Sequence, residues 1–248
     1  MNIWTIGKRE YSLYFASPIA YMLLFVVLLV LGIFFYINLA WAVNNPSYGY
    51  VPGAEAITTP LAVLLVLIIP AITTRLLAEE RRLGTIELLL TAPVRDWELV
   101  VGKWLGAFLL LATIIAVTLI YPMTLHQLVE PGIDQGKLVA GYLGLLLMAA
   151  ALVAVGVFVS SLFSNQIAAF VTTMGVIIFL WWILGPIAQV AGPASGMADY
   201  LTYINFSGHF YDTLARGIID LKDIAYYLSL TALGLFLASV SVEMRRWG

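Results

Sequence analysis

The side chains that most often carry out chemistry in proteins are scarce in this sequence. It has no cysteine and two histidines, His126 and His209. Without cysteine the chain has no disulfides, no thiolate metal ligands and no thiol nucleophile. The two imidazoles lie in segments that we predict to be separate. We therefore expect each to be hydrogen-bonded or solvated rather than bound to a metal.

Charged residues avoid the middle of every long apolar run of the sequence. Ion-coupled carriers place such groups at membrane depth as relays, and intramembrane enzymes need a Ser-His pair, an HExxH motif or an acidic dyad there. Arg75 and Lys103 lie near the ends of runs, where we expect long side chains to reach toward the membrane interface. The sequence thus offers no catalytic, cofactor-binding or metal-binding candidate in these runs.

The composition indicates that the chain is an integral membrane protein. It is 62% hydrophobic and 10% charged, whereas soluble domains are about 45–50% apolar and about 25% charged. A globule of this size has too little interior to hide such an apolar excess, so lipid is its natural surroundings. The net charge of -2 lacks the basic footprint of a nucleic-acid-binding protein.

We predict six transmembrane helices, because each needs about 20 mostly apolar residues. The charge-free stretch from Leu138 to Ala198 is too long for one helix, and polar residues at 160–166 divide it into two. The predicted spans are residues 18–43, 56–83, 97–125, 138–163, 167–190 and 223–243. We expect residues 1–248 to form a single all-α membrane domain.

The basic residues predict the orientation of the spans, since Lys and Arg are enriched in short cytoplasmic loops. With the amino terminus inside, nine of the twelve basic residues face the cytoplasm, and Lys137, Arg216 and Lys222 face outward. Both termini are then cytoplasmic, and so is the loop between the second and third spans.

That loop has the signals of a short capped helix. Gly84 suits the end of the preceding helix, Thr85 suits an N-cap, and Glu87 falls in the first turn, where it complements the helix dipole. Pro93 prevents continuation. A capped helix projecting between two spans is typical of a docking element, and a plain polar connection is the alternative.

The loop resembles that of ABC-2 type transporter permeases. The shared pattern is an acidic-basic turn, Gly-Thr, a short Leu-rich helix and Pro within residues 79–94, followed by Gly102-Lys103. The resemblance implies that the loop couples the chain to an ATPase, through Glu79, Glu80, Gly84, Thr85, Glu87, Leu88, Leu89 and Pro93. The connection at 160–166 resembles the family's second cytoplasmic contact, with Ser164 and Asn165 as its residues.

Both flanks of the chain fit the same family. Trp4, Tyr11 and Phe15 share one helical face before Pro18, which resembles the family's amphipathic elbow helix. The aromatic segment between the fifth and sixth spans lies where the family has short outer re-entrant helices. The resemblance implies an outer gate that includes Tyr203, Phe206 and Phe210, and an aromatic belt without a gating role is the alternative.

The end of the chain comprises residues 210–223 and the terminal Arg245-Arg246-Trp247. This part of the sequence most resembles permeases associated with gliding motility or with nitrous oxide reductase maturation. The family implies a multi-pass protein in the plasma (inner) membrane of a prokaryote and a pathway lined by spans one, two and five.

No stretch matches the G-x-x-x-x-G-K-[ST] phosphate loop, so we expect the chain itself to be no enzyme and to bind no cofactor. The resemblance implies a partner ABC ATPase that binds ATP and Mg, and a second permease subunit, either a copy of this chain or a related one. Export is the expected function. An ATP-independent carrier or scaffold is the alternative, followed by an intramembrane enzyme.

Overall fold

A computed structural model describes residues 3–82, 95–191 and 196–246, with the backbone alone for residues 79–82, 191, 196–199 and 245–246. All the regular elements within these ranges are helical. Within the described ranges ten α-helices follow in chain order: α1 Ile3–Ala16, α2 Pro18–Asn44, α3 Glu55–Arg82, α4 Asp96–Val117, α5 Ile120–Leu128, α6 Gln135–Leu162, α7 Gln166–Ile178, α8 Leu184–Ala191, α9 Gly196–Ile204 and α10 Leu221–Arg246. A π-helical turn, Phe179–Ile183, joins α7 to α8, and another, His209–Thr213, follows α9.

Six segments of these helices are long and apolar enough to cross a membrane, which confirms the predicted number. They are Pro18–Asn44, Glu55–Ala78, Asp96–Leu128, Gln135–Leu162, Gln166–Val190 and Leu221–Met244. The third combines α4 with α5, and the fifth combines α7, the π-helical turn and most of α8. Helix α2 begins and helix α10 finishes at the same end of the bundle, which we call the terminal end. The other end of the bundle is called the opposite end.

Helix α6 is the centre of the bundle. It packs against α3, α4, α7 and α10. Most residues in the apolar part of α6 are buried, whereas most residues of α2 are not. Small residues allow this close approach. A Cβ added at Gly141 would lie 3.0 Å from the Thr58 side chain, and one at Gly144 would lie 2.9 Å from Leu214. Gly141 and Gly144 thus lie at packed interfaces of α6.

Helix α1 lies against α4 at the terminal end. Its buried side carries Ile6 and Gly7, whereas Trp4 is exposed. Tyr11 and Phe15 contact each other with ring centroids 5.0 Å apart. The predicted aromatic face is therefore divided, with Trp4 pointing away from the bundle. Ser17 then caps α2, its hydroxyl accepting a hydrogen bond from the Ile19 amide at 3.4 Å.

Candidate functional site

The connection between α3 and α4 is the predicted ATPase-coupling element. Gly84, Thr85, Glu87, Leu88, Leu89 and Pro93 lie outside the described residues, and Glu79 and Glu80 are described by backbone alone, on the last turns of α3. The described residues that flank it, the end of α3 and the start of α4, lie at the terminal end of the bundle. The contact residues therefore remain a prediction.

A single serine ties the end of α3 to the central helix. Ser160, on α6, is fully buried, and its hydroxyl accepts hydrogen bonds from the amides of Leu77 at 3.3 Å and Ala78 at 3.1 Å. The same hydroxyl donates to the Thr74 carbonyl at 3.3 Å. These bonds join backbone groups in the last turns of α3 to α6. The end of α3 that leads into residues 83–94 is therefore anchored to the bundle core.

The predicted second contact, Ser164 and Asn165, lies in the short turn between α6 and α7. Both residues are exposed. The Asn165 carboxamide oxygen accepts from the amides of Ile167 at 2.8 Å and Ala168 at 3.4 Å, which makes it the N-cap of α7. Asn165 thus has a local structural role, and its contact with a partner stays a prediction.

An ion pair that sequence reasoning missed joins α1 to α4. The Lys103 ammonium lies 3.0 Å from a Glu10 carboxylate oxygen, and the two side chains are only 3% and 17% exposed. The expectation that Lys103 reaches toward the membrane interface is wrong, because its side chain is buried against α1. Removing one partner of such a pair leaves a buried charge and is strongly destabilising.

The close approach of α1 and α4 has a signal in the sequence, the Gly102-x-x-x-Gly106 spacing that lets helix backbones approach. A Cβ added at Gly102 would lie 2.6 Å from the Ile6 Cβ, and one at Gly106 would lie 2.5 Å from the Glu10 Cβ. The Tyr11 hydroxyl also hydrogen-bonds the Thr113 hydroxyl at 3.0 Å. This spacing could have predicted the α1–α4 interface and hence the position of Lys103.

The predicted outer gate residues occupy two different environments at the opposite end. Phe206 and Phe210 are fully buried, and their ring centroids lie 5.9 Å and 6.5 Å from that of Trp181. Tyr203 is 54% exposed, and its ring meets those of His209 and Tyr226 edge-on. The two phenylalanines therefore belong to the core, and Tyr203 lies at its rim.

Three side chains of α10 hold this segment in place. The Tyr226 hydroxyl donates to the Ile204 carbonyl at 2.8 Å, and the Tyr227 hydroxyl donates to the Phe206 carbonyl at 3.0 Å. Asp223 contacts His209, with 2.6 Å between its Oδ1 and the imidazole Nδ1. We call His209, Asp223, Tyr226 and Tyr227 the outer clasp.

The hydrogen bonds of His209 define its protons. The imidazole Nε2 lies 2.7 Å from the Tyr203 carbonyl, which can only accept, so Nε2 donates. A hydrogen bond between Nδ1 and Asp223 then requires a second proton between those two atoms. The ring also stacks on Tyr226 with centroids 4.0 Å apart. The imidazole is thus fully engaged in the clasp, as predicted for a hydrogen-bonded histidine.

No metal centre is evident in the described ranges, where no three His, Asp or Glu side chains are placed to hold an ion. The other histidine, His126, accepts a hydrogen bond from the Ile133 amide at Nδ1, at 3.1 Å. Its role in the described structure is to fix the turn before α6.

Comparison with known proteins places the chain in a family. The family model of an "ABC-2 family transporter protein" matches residues 42–242. The chain is also 29% identical over 189 residues to the "Probable multidrug ABC transporter permease YbhR" of Escherichia coli K12, and equally to its counterpart in Escherichia coli O157:H7. These alignments cover 72% of this chain and 46% of each relative, so the chain spans about half the length of the curated relatives it matches. Because the family match covers most of the chain, and six helices of its described residues are long and apolar enough to cross a membrane, the protein is a multi-pass membrane member of the ABC-2 family of transporter proteins.

Proposed function

We propose that this chain is the permease subunit of an ATP-driven exporter in the plasma (inner) membrane of a prokaryote. The observation that carries the proposal is the family match over residues 42–242, which includes the whole connection between α3 and α4. The distribution of basic residues supports cytoplasmic termini and a cytoplasmic 83–94 connection. The terminal end of the bundle is then cytoplasmic, and the opposite end faces outward.

In this proposal a separate ABC ATPase binds ATP and Mg and docks on the 83–94 connection. Closure of the ATPase dimer pushes the connection as a rigid body. The Ser160 bridge supports this route, because it ties the last turns of α3 to α6. Helix α6 contacts α10, whose far end carries Asp223, Tyr226 and Tyr227 of the outer clasp. In this proposal, movement at the cytoplasmic end is transmitted to the outer end through the packed helices α3, α6 and α10.

The outer clasp supports a gating role for the segment between the fifth and sixth spans. Phe206 and Phe210 would close the outer end while the clasp is formed, and release of Tyr203 from His209 would free the rim. A second permease subunit, a copy of this chain or a related one, would complete the pathway. The largely exposed α2 is available either to that subunit or to lipid.

The coupling proposal is tested by charge reversal at Glu87. The docking contact would lose a charge pair worth about 2–5 kcal/mol if Glu87 meets a basic ATPase residue. The tagged chain and the ATPase are co-expressed, purified and reconstituted in nanodiscs, and both subunit retention and ATP hydrolysis are measured. We expect Glu87→Lys to reduce retention at least about tenfold.

The matched control is Glu243→Lys, an exposed acid on α10 at the same end of the bundle. It changes net charge equally and should leave ATPase retention and hydrolysis at wild-type values. Wild-type retention by a normally folded Glu87→Lys variant would contradict the assignment of Glu87. Failure of wild-type chain to retain any ABC ATPase would contradict the proposed function itself.

A further inference from the structure

A cavity of about 490 Å³ lies between α2 and α3 at the opposite end of the bundle. Its apolar wall consists of Phe34 from α2 and of Ala56, Pro60, Val63 and Leu64 from α3. The polar lining residues are Asn38, Tyr50, Glu55 and Thr59. Sites for small organic molecules have volumes of about 300–1,000 Å³ and the same combination of apolar walls with a few polar groups.

The polar rim of the cavity is held in place by its own contacts. The Tyr50 hydroxyl donates to the Asn38 side-chain oxygen at 3.0 Å, and the Asn38 side-chain nitrogen donates to the Phe34 backbone carbonyl at 2.9 Å. The Tyr50 ring also packs edge-on against Trp41, with centroids 5.1 Å apart. The connection between α2 and α3 thus presents a fixed aromatic ring at the mouth of the cavity.

The only charge among the lining residues is the Glu55 carboxylate. It lies close enough to Tyr50 to raise the pKa of that phenol, after the larger effect of burial. No ion pair joins Glu55 to a basic residue of the described chain. Glu55 is exposed and lies in the first turn of α3. The site therefore combines a carboxylate that has no ion pair among the described residues, an aromatic ring and an apolar wall.

These features select the charge of an occupant. Solvent screens the exposed Glu55 carboxylate on one side, and the apolar wall on the other side strengthens its attraction for a cation relative to bulk water. The face of an aromatic ring attracts cations as well. The headgroup of an anionic lipid would be repelled by Glu55, and a purely apolar molecule would make no use of the carboxylate.

We infer that this cavity binds amphipathic organic cations, with the positive group at Glu55 and Tyr50 and the apolar body against Phe34, Val63 and Leu64. The inference rests on the proposed transport function, for which it names the substrate class. In the proposed orientation the cavity is near the outer end of spans one and two, so it is a site from which an exported cation is released.

The test uses two probes of nearly the same shape and opposite charge, radiolabelled tetraphenylphosphonium and tetraphenylborate. Binding to the full chain in phosphatidylcholine nanodiscs is measured by equilibrium dialysis, and empty nanodiscs give the lipid background. We expect saturable binding of the phosphonium and none of the borate. Glu55→Gln should weaken phosphonium binding about tenfold, and Val63→Trp, which fills the cavity, should abolish it.

The control is Glu130→Gln, an exposed acid at the same end that does not line the cavity, and it should bind as wild type does. Equal binding of the two probes, wild-type affinity in a folded Glu55→Gln variant, or no binding above empty nanodiscs would overturn the inference. Displacement of the probe by phosphatidylethanolamine would assign the cavity to lipid. Disulfide crosslinking of Val63→Cys between two copies of this cysteine-free chain would assign it to a second subunit.

This assay needs no ATPase, so its outcome is separate from that of the proposed function. A complex that retains its ATPase but binds no phosphonium would refute the cation site alone. Phosphonium binding by a chain that retains no ATPase would leave the site in place and refute the proposed function.

Discussion

Replacement of Ser160 by alanine should loosen the end of α3 that enters the predicted coupling connection. The change removes one oxygen atom and hence three hydrogen bonds of 3.1–3.3 Å, to the amides of Leu77 and Ala78 and the carbonyl of Thr74. Interhelical hydrogen bonds in membrane proteins are worth about 0.6 kcal/mol on average and at most about 1.7 kcal/mol. Because these three share one hydroxyl, we expect a total of about 1–2 kcal/mol.

Amide hydrogen exchange reports this loss at the residues concerned. A loss of about 1–2 kcal/mol in the opening free energy corresponds to exchange that is about 5- to 30-fold faster. We expect that acceleration in peptides covering residues 74–82, measured by mass spectrometry on the chain in nanodiscs. Peptides from the middle of α6 should exchange at the wild-type rate.

The adjacent Ser161 provides the matched control. It is equally buried, but its hydroxyl donates at 2.6 Å to the Phe158 carbonyl of its own helix. Ser161→Ala removes the same atom and should leave exchange of residues 74–82 unchanged. Equal exchange in the two variants, or no acceleration in Ser160→Ala, would refute the view that this hydroxyl anchors α3.

Three further outcomes follow from the structure. Lys103→Met should destabilise the chain by about 3–5 kcal/mol, because it leaves the Glu10 carboxylate buried without its partner. Adding Glu10→Gln should restore most of the lost stability, measured by unfolding in detergent. A double variant no more stable than the single one would contradict a direct pairing. His209→Phe keeps the ring stack on Tyr226 but removes both hydrogen bonds of the imidazole. Limited proteolysis should therefore cut the 203–209 segment faster than in wild type. An unchanged cleavage rate would show that the outer clasp does not depend on His209. Single cysteines introduced at Gly84 and at Gly132 test the orientation of the chain in intact cells. An impermeant thiol reagent should label Gly132→Cys and should not label Gly84→Cys. The reverse pattern would contradict the proposed orientation.

The sequence predicted the number and class of the helices because the membrane sets the length and composition of a spanning segment, and both can be read along the chain. A spanning helix needs a long apolar run, so charges and polar breaks locate its ends without knowledge of packing. Local capping is readable for the same reason, since Asn165 acts on amides two and three residues ahead. The resemblance in the 79–94 loop likewise led to the family that the comparison identified.

The tertiary structure decided which side of each helix meets protein. In a soluble helix the apolar face reveals the core, but lipid is as apolar as the bundle interior, so an all-apolar helix carries no such signal. The burial of Lys103 against Glu10 joins two helices through residues 93 positions apart in sequence. The separation of Phe206 and Phe210 from Tyr203, and the pairing of His209 with Asp223, depend on how this segment packs against its neighbouring helices. The sequence by itself determined the number of long apolar helices in the described part of the chain, and only the packing of those helices decided which polar groups meet.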